Sequence, residues 1–184
     1  MSKRHYEIIL SGMGGQGTVS SGAVLGEAAS SYDNKFAVMS CVYGVAARGG
    51  FAKSDVLIGT DFIPYFEALR PDVILVLANE AYPKIKSYII DSTLVVINSD
   101  EVTDYDRNLG KICAFPFSGM AFELGSLQAV NMIALAFIVE KTKIVSKQAL
   151  LEAVKHKYPG ENEIPVNMKA LERGFKLRSL RRIT

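Results

Sequence analysis

The chain has 184 residues, 49% of them hydrophobic, and 21 Lys and Arg against 19 Asp and Glu give a formal net charge of +2. That length and apolar content suit one domain, 1–184, with a core sufficient to fold unaided. Cations are scattered, apart from Lys176, Arg178, Arg181 and Arg182, so nucleic acid is excluded as the expected partner.

The first half alternates apolar runs with helical periods, which predicts an α/β fold. Its expected form is a Rossmann-like, doubly wound, mainly parallel sheet with helices on both faces and a helical C-terminal part. Tyr6–Leu10 reads as the first strand. Val19, Ala23, Val24, Glu27 and Ala28 recur at helical spacing, so a helix is expected from Thr18 to about Tyr32. Phe36–Cys41 reads as the second strand, Val42–Gly50 as a glycine-bounded loop and Phe51–Ile58 as the third strand. Val73–Leu77 and Thr93–Asn98 are apolar on both sides, the pattern of central buried strands, with a helix between them from about Glu80 to Ile90. Ile112–Phe115 is a short last strand. Helices are then expected at Phe122–Thr142, at Lys147–Lys157 behind a Ser146 cap, and from Asn167 to about Arg181, with Tyr158–Pro165 a loop.

Several functions are disfavoured by what the residues lack. Cys41 and Cys113 form no C-x-x-C or other ligand spacing, so they read as buried free thiols rather than holders of zinc or an iron–sulfur cluster. His5 and His156 read as solvated residues, and no serine-hydrolase or zinc-protease motif occurs. Asp100, Glu101, Asp104 and Asp106 lack the glycine and terminal glutamate of a calcium loop and read as a solvated face. Ala129–Val139 is too short to span a bilayer and the N-terminal residues lack the form of a secretory signal, so a cytoplasmic protein without membrane contact is expected.

Two loops stand out. Gly12-Met13-Gly14-Gly15-Gln16-Gly17 follows the first strand and precedes the first helix, satisfying G-x-G-x-x-G. A dinucleotide site also needs an acid at the end of the second strand, roughly 20 residues on. Here that strand ends Val38-Met39-Ser40-Cys41, with no carboxylate. A tight turn that packs the helix against the sheet remains an equal reading, as does docking of an anion or a partner's carbonyl at the helix-start amides. The second loop, Tyr43-Gly44-Val45-Ala46-Ala47-Arg48-Gly49-Gly50, opens on the same sheet edge and carries an arginine fork suited to phosphate or carboxylate.

These two motifs, with Glu123-Leu124-Gly125, Asn131-Met132, Asn167 and Ala170-Leu171-Glu172-Arg173-Gly174, resemble the gamma subunit of the 2-oxoacid:ferredoxin oxidoreductases over nearly the whole chain. The resemblance implies a subunit of an enzyme that decarboxylates a 2-oxo acid oxidatively to an acyl-CoA and reduces ferredoxin. It implies thiamine diphosphate and iron–sulfur clusters on other chains, coenzyme A as substrate, and no cofactor bound by this chain alone. Alpha and beta subunits are the implied partners, with delta as a further candidate. Gly12, Gly14, Gly15, Gln16, Gly17, Tyr43, Arg48, Gly49 and Gly50 are the implied assembly and ligand-facing residues, and none is a proton-transfer catalyst. The single Arg48 followed by Gly49-Gly50-Phe51 looks more like 2-oxoglutarate-type than pyruvate-type gamma subunits. The alternatives are a free-standing NAD- or flavin-binding oxidoreductase and a purely structural subunit.

Overall fold

In a computed structural model the described residues, 5–43 and 49–178, form a six-stranded sheet of order β2-β3-β1-β4-β5-β6. The strands are β1 (His5–Met13), β2 (Phe36–Tyr43), β3 (Phe51–Gly59), β4 (Val73–Val76), β5 (Leu94–Asn98) and β6 (Lys111–Phe115). The helices are α1 (Thr18–Glu27), α2 (Tyr82–Ile85), α3 (Phe117–Glu123), α4 (Val130–Thr142), α5 (Lys147–Lys157) and α6 (Glu163–Lys176). The α/β fold expected from the pattern is present, and its sheet is mixed.

β1, β4, β5 and β6 pair parallel, but β3 runs antiparallel between β1 and β2. β2 and β3, consecutive strands in the chain, therefore pair antiparallel rather than across a helical crossover. Two reversals restore direction, so β2 points the same way as β1, and both glycine motifs open at one sheet edge. Met13 lies opposite Phe51 and Tyr43 opposite Ala52, which fixes that shared edge residue by residue.

The two faces are covered unequally. One carries Ile8, Leu10, Val56, Leu75 and Val96 and packs against α1 and α3–α6. The other carries Ile9, Ile74, Val76 and Ile97 and packs against the short α2 and neighbouring loops. α4 is the central helix, buried from Asn131 through Val139. A helix that is apolar all round has to lie inside the protein.

Three expected element bounds need correction. The continuous helix Phe122–Thr142 is two helices: Gly125, at φ 77°, ends α3 in the left-handed region, and a short tight turn at Leu127–Ala129 leads into α4. The expected Glu80–Ile90 helix shrinks to α2 and one tight turn, Lys86–Tyr88. α6 starts earlier than Asn167, with Pro165 inside its first turn, where its missing amide leaves no intrahelical bond unmade. The first helix runs as expected to Tyr32 but widens to a π-type turn over Ala28–Tyr32. The α5 cap is as expected, the Ser146 hydroxyl accepting the Ala149 amide at 3.0 Å.

His5 is not simply solvated: it is half-buried and hydrogen-bonded to Tyr65. His156 is 72% exposed and meets Glu27 at 2.6 Å. Cys113 is buried and Cys41 half-buried.

Candidate functional site

The strand-to-helix turn after β1 is closed by its own glutamine. Gln16 Oε1 accepts the Met13 amide at 2.7 Å, and Gln16 Nε2 donates to the Leu77 carbonyl at 3.3 Å. The Gln16 amide donates to Met13 O at 3.0 Å. A Cβ on Gly12 would lie 2.5 Å from Gln16 Oε1, so Gly12 makes room for that side chain rather than for a phosphate.

The two glycine motifs touch. The Gly14 amide donates to the Gly50 carbonyl at 2.7 Å. Met13, Gly14 and Gln16 amides are thus engaged within the protein, which leaves the loop poorly equipped to cradle a pyrophosphate. Tyr43, 66% exposed, stands at the end of β2 beside them. Gly49 and Gly50 fall in the described chain; Arg48 lies outside the described residues.

Beside this turn is a cavity of about 580 Å3 at the carboxyl ends of β1, β4 and β5. Gly15, Gln16 and Gly17 line one side, Asn98 and Ser118 another, and Asn131 of α4 and Asn167 of α6 a third. Gly17 sits at φ 72° just before α1, and a Cβ there would collide with the Asn131 amide nitrogen. Only glycine accommodates both that backbone and that neighbour. Asn131 is 8% exposed and has no hydrogen-bond partner among the described residues, so its amide is available to whatever enters.

Asn98, 1% exposed, is held by Ser118, whose hydroxyl accepts from Asn98 Nδ2 at 2.9 Å. Ser118 also meets Glu101 Oε1 at 3.3 Å, and the Asp100 carboxylate accepts the Gly119 amide at 2.7 Å. Part of the acidic cluster therefore anchors the start of α3 instead of merely facing solvent. Burial raises the Tyr158 phenol above its ordinary range despite a hydrogen bond with Ser20, keeping it a neutral donor on the cavity wall. The lining holds Glu101 and Glu163 and, among the described residues, no lysine, arginine or histidine.

Residues 7–177 match the family described as pyruvate ferredoxin/flavodoxin oxidoreductase. The chain belongs to that family. It is 36% identical to the 2-oxoglutarate synthase subunit KorC of Methanocaldococcus jannaschii, with 95% of each chain covered. The keto/oxoacid ferredoxin oxidoreductase gamma subunit from Geobacter sulfurreducens superposes with a TM-score of 0.83 at 34% identity, covering 94% of this chain and 95% of that one. The 2-oxoglutarate:ferredoxin oxidoreductase from Magnetococcus marinus, solved with 2-oxoglutarate, coenzyme A and succinyl-CoA bound, gives 0.82 at 25% identity over 97% of this chain and 32% of that one. Within the pyruvate ferredoxin/flavodoxin oxidoreductase family the chain is thus a gamma subunit of the 2-oxoacid:ferredoxin oxidoreductases, as its motifs suggested.

The segments that carried the resemblance converge in space. Gly15–Gly17, Asn131-Met132 and Asn167 share the cavity, and Arg173 reaches Glu123 at 2.6 Å. Sequence reading did not single out Ser20, Asn98, Ser118 or Tyr158, because isolated polar residues at strand ends and loops carry no spacing signature. Asn98 had one usable signal: an asparagine ending an otherwise apolar strand on the edge where such folds place sites.

Proposed function

We propose that the whole chain, as one domain, presents the carboxyl edge of its sheet to the cofactor-bearing subunits of a cytoplasmic 2-oxoglutarate:ferredoxin oxidoreductase. The observation that carries this reading is the Gly14–Gly50 hydrogen bond, which joins the two glycine motifs into one surface at the mouth of the cavity. Gly12 and Gly17 shape the turn, Gln16 braces it, and Gly14, Gly15, Tyr43, Arg48, Gly49 and Gly50 face the partner chains and the coenzyme A end of the active site. The similarity to 2-oxoglutarate synthase subunits supports 2-oxoglutarate as the substrate.

The residues of this chain do not fit the holoenzyme's own cofactors. Cys41 on β2 and Cys113 on β6 lie on opposite borders of the sheet, five strand spacings or roughly 24 Å apart, too far to share a cluster. The cavity offers a diphosphate two glutamates and no cation among the described residues. Thiamine diphosphate and the iron–sulfur clusters therefore belong to the alpha and beta partners, with delta as a further candidate, and ferredoxin takes electrons from the assembled enzyme. No residue here is assigned a proton-transfer step.

Enzyme purified through a tag on this chain should reduce ferredoxin with 2-oxoglutarate and coenzyme A, while the isolated chain is colourless and inactive. Preference for pyruvate would overturn the substrate assignment. Tight binding of NAD or FAD by the isolated chain would favour a free-standing oxidoreductase instead.

A further inference from the structure

At the opposite edge of the sheet, residues 60–70 cross from β3 to β4 as a strap over the thinly covered face. The strap is pinned from beneath. Ile63 and Ala68 are buried, and the Glu7 carboxylate, on a residue only 4% exposed, accepts the amides of Leu69 at 2.8 Å and Arg70 at 2.6 Å. The Ser40 hydroxyl donates to the Phe66 carbonyl at 2.8 Å, and Tyr65 contacts both Glu7 and His5.

With its backbone fixed this way, the strap holds apolar side chains outward. Phe62, Phe66 and Leu69 are 76%, 61% and 67% exposed, and Phe36, opposite Gly59 where the strap begins, is 51% exposed. β2 beside them is an edge strand of eight residues without a charge or a proline, lacking the devices by which solvent-facing edges resist pairing. Large apolar groups held rigidly in water mark an interaction surface.

Charge selects the occupant. Asp61 and Glu67 are exposed among these side chains and have no ion-pair partner among the described residues. A second copy placed on a two-fold axis here would bring these carboxylates toward their own equivalents, whereas a basic rim would pair with both. In the Magnetococcus marinus enzyme the matching fold makes up 32% of its chain, so a larger polypeptide is joined to it there.

We propose that the strap and the β2 edge dock a different subunit of the same oxidoreductase, one that presents an apolar groove rimmed by lysine and arginine. The chain then bridges two partner surfaces, one at each edge of its sheet. This rests on the subunit reading above.

The test uses the enzyme purified through a tag on this chain, with a photo-crosslinking amino acid in place of Phe62. Cross-links should map to a lysine- or arginine-bearing segment of another subunit. Cross-links to a second copy, or none, overturn the proposal. Independently, Phe66→Ser with Glu67→Lys should weaken binding to the partner subunits by about 10- to 100-fold while the isolated chain keeps its melting temperature, because both side chains are exposed. Unchanged affinity overturns it as well. If the wild-type chain brings down no thiamine- or cluster-bearing subunit, the subunit reading itself fails, an outcome distinct from partners that co-purify but cross-link elsewhere.

Discussion

Gly17 and Asn131 share one small volume: the Asn131 amide nitrogen lies where a side chain on Gly17 would begin. That relationship joins the glycine turn after β1 to the first turn of the central helix, and it makes the glycines of the motif unequal. Gly17→Ala adds a methyl at φ 72° against a buried amide, so a loss of about 2 kcal/mol or more is expected. A Cβ on Gly14 would meet Gly49 N and Gly50 O at 3.5 Å, ordinary contact distance, so Gly14→Ala should cost within about 1 kcal/mol. Calorimetric melting of the two variants checks the order, and equal losses would contradict it.

The cavity assignment predicts a separate effect on ligand use. Asn131→Ala removes an amide that has no hydrogen-bond partner among the described residues, so the isolated chain should melt within a few degrees of wild type. In the assembled enzyme the KM for coenzyme A should rise about 10-fold, the usual cost of one lost hydrogen bond, here to the uncharged pantetheine arm, because the two glutamates of the lining do not suit the diphosphate. Arg48→Ala should act in the same direction. Steady-state kinetics with coenzyme A varied separates this from a general loss of activity.

Beneath the strap, Lys53 and Asp55 form a buried pair at 2.9 Å, with the lysine 5.0 Å from the centre of the Tyr88 ring. Burial raises the Asp55 carboxyl above its ordinary range, outweighing the attraction of the Lys53 ammonium beside it. The folded chain therefore holds that proton more tightly than the unfolded chain, and this contribution to stability is lost as pH rises through the folded value. Desolvation outweighing attraction predicts the outcome of replacement. Lys53→Met alone should cost about 3–5 kcal/mol by leaving an unpaired buried carboxylate, whereas Lys53→Met with Asp55→Leu should be neutral or stabilising. Urea midpoints decide, and a double variant as unstable as the single one would refute the account.

Asp33 behaves in the opposite sense. Burial pushes its carboxyl up, but the Ser146 hydroxyl and amide, each at 2.6 Å, and Lys35 at 3.3 Å together hold it below its ordinary value of 3.8. Its stabilisation is fully present above the unfolded pKa and is lost as pH falls through the lower folded value. Asp33→Asn should lower stability at pH 7 by about 1–2 kcal/mol, and the gap from wild type should close below about pH 4. A gap that stays constant down to acid unfolding would show that the carboxylate charge is not what matters.

Much of the fold was legible because its signals are local. Val73–Val76 and Leu94–Asn98 are runs apolar on both sides, which only a doubly covered strand accommodates. Ser146 ahead of the α5 periodicity identified a cap, and the structure makes that hydrogen bond. Helix ends were less legible: Leu124 and Leu127 keep helical spacing across the break, and the left-handed backbone at Gly125 with the tight turn at Leu127–Ala129 separates α3 from α4.

The sequence by itself determined the fold class, the two glycine motifs and the family, because composition, periodicity and short motifs are properties of neighbouring residues. Tertiary structure decided what those motifs meet. The reversed β3 between β2 and β1 sets the two glycine loops side by side. Packing of α4 places Asn131 over Gly17, and burial of Glu7 fixes the strap that turns three large apolar side chains outward. Those outcomes depend on strand order and on which residues far apart in the chain exclude water together, and no local window of sequence contains that information.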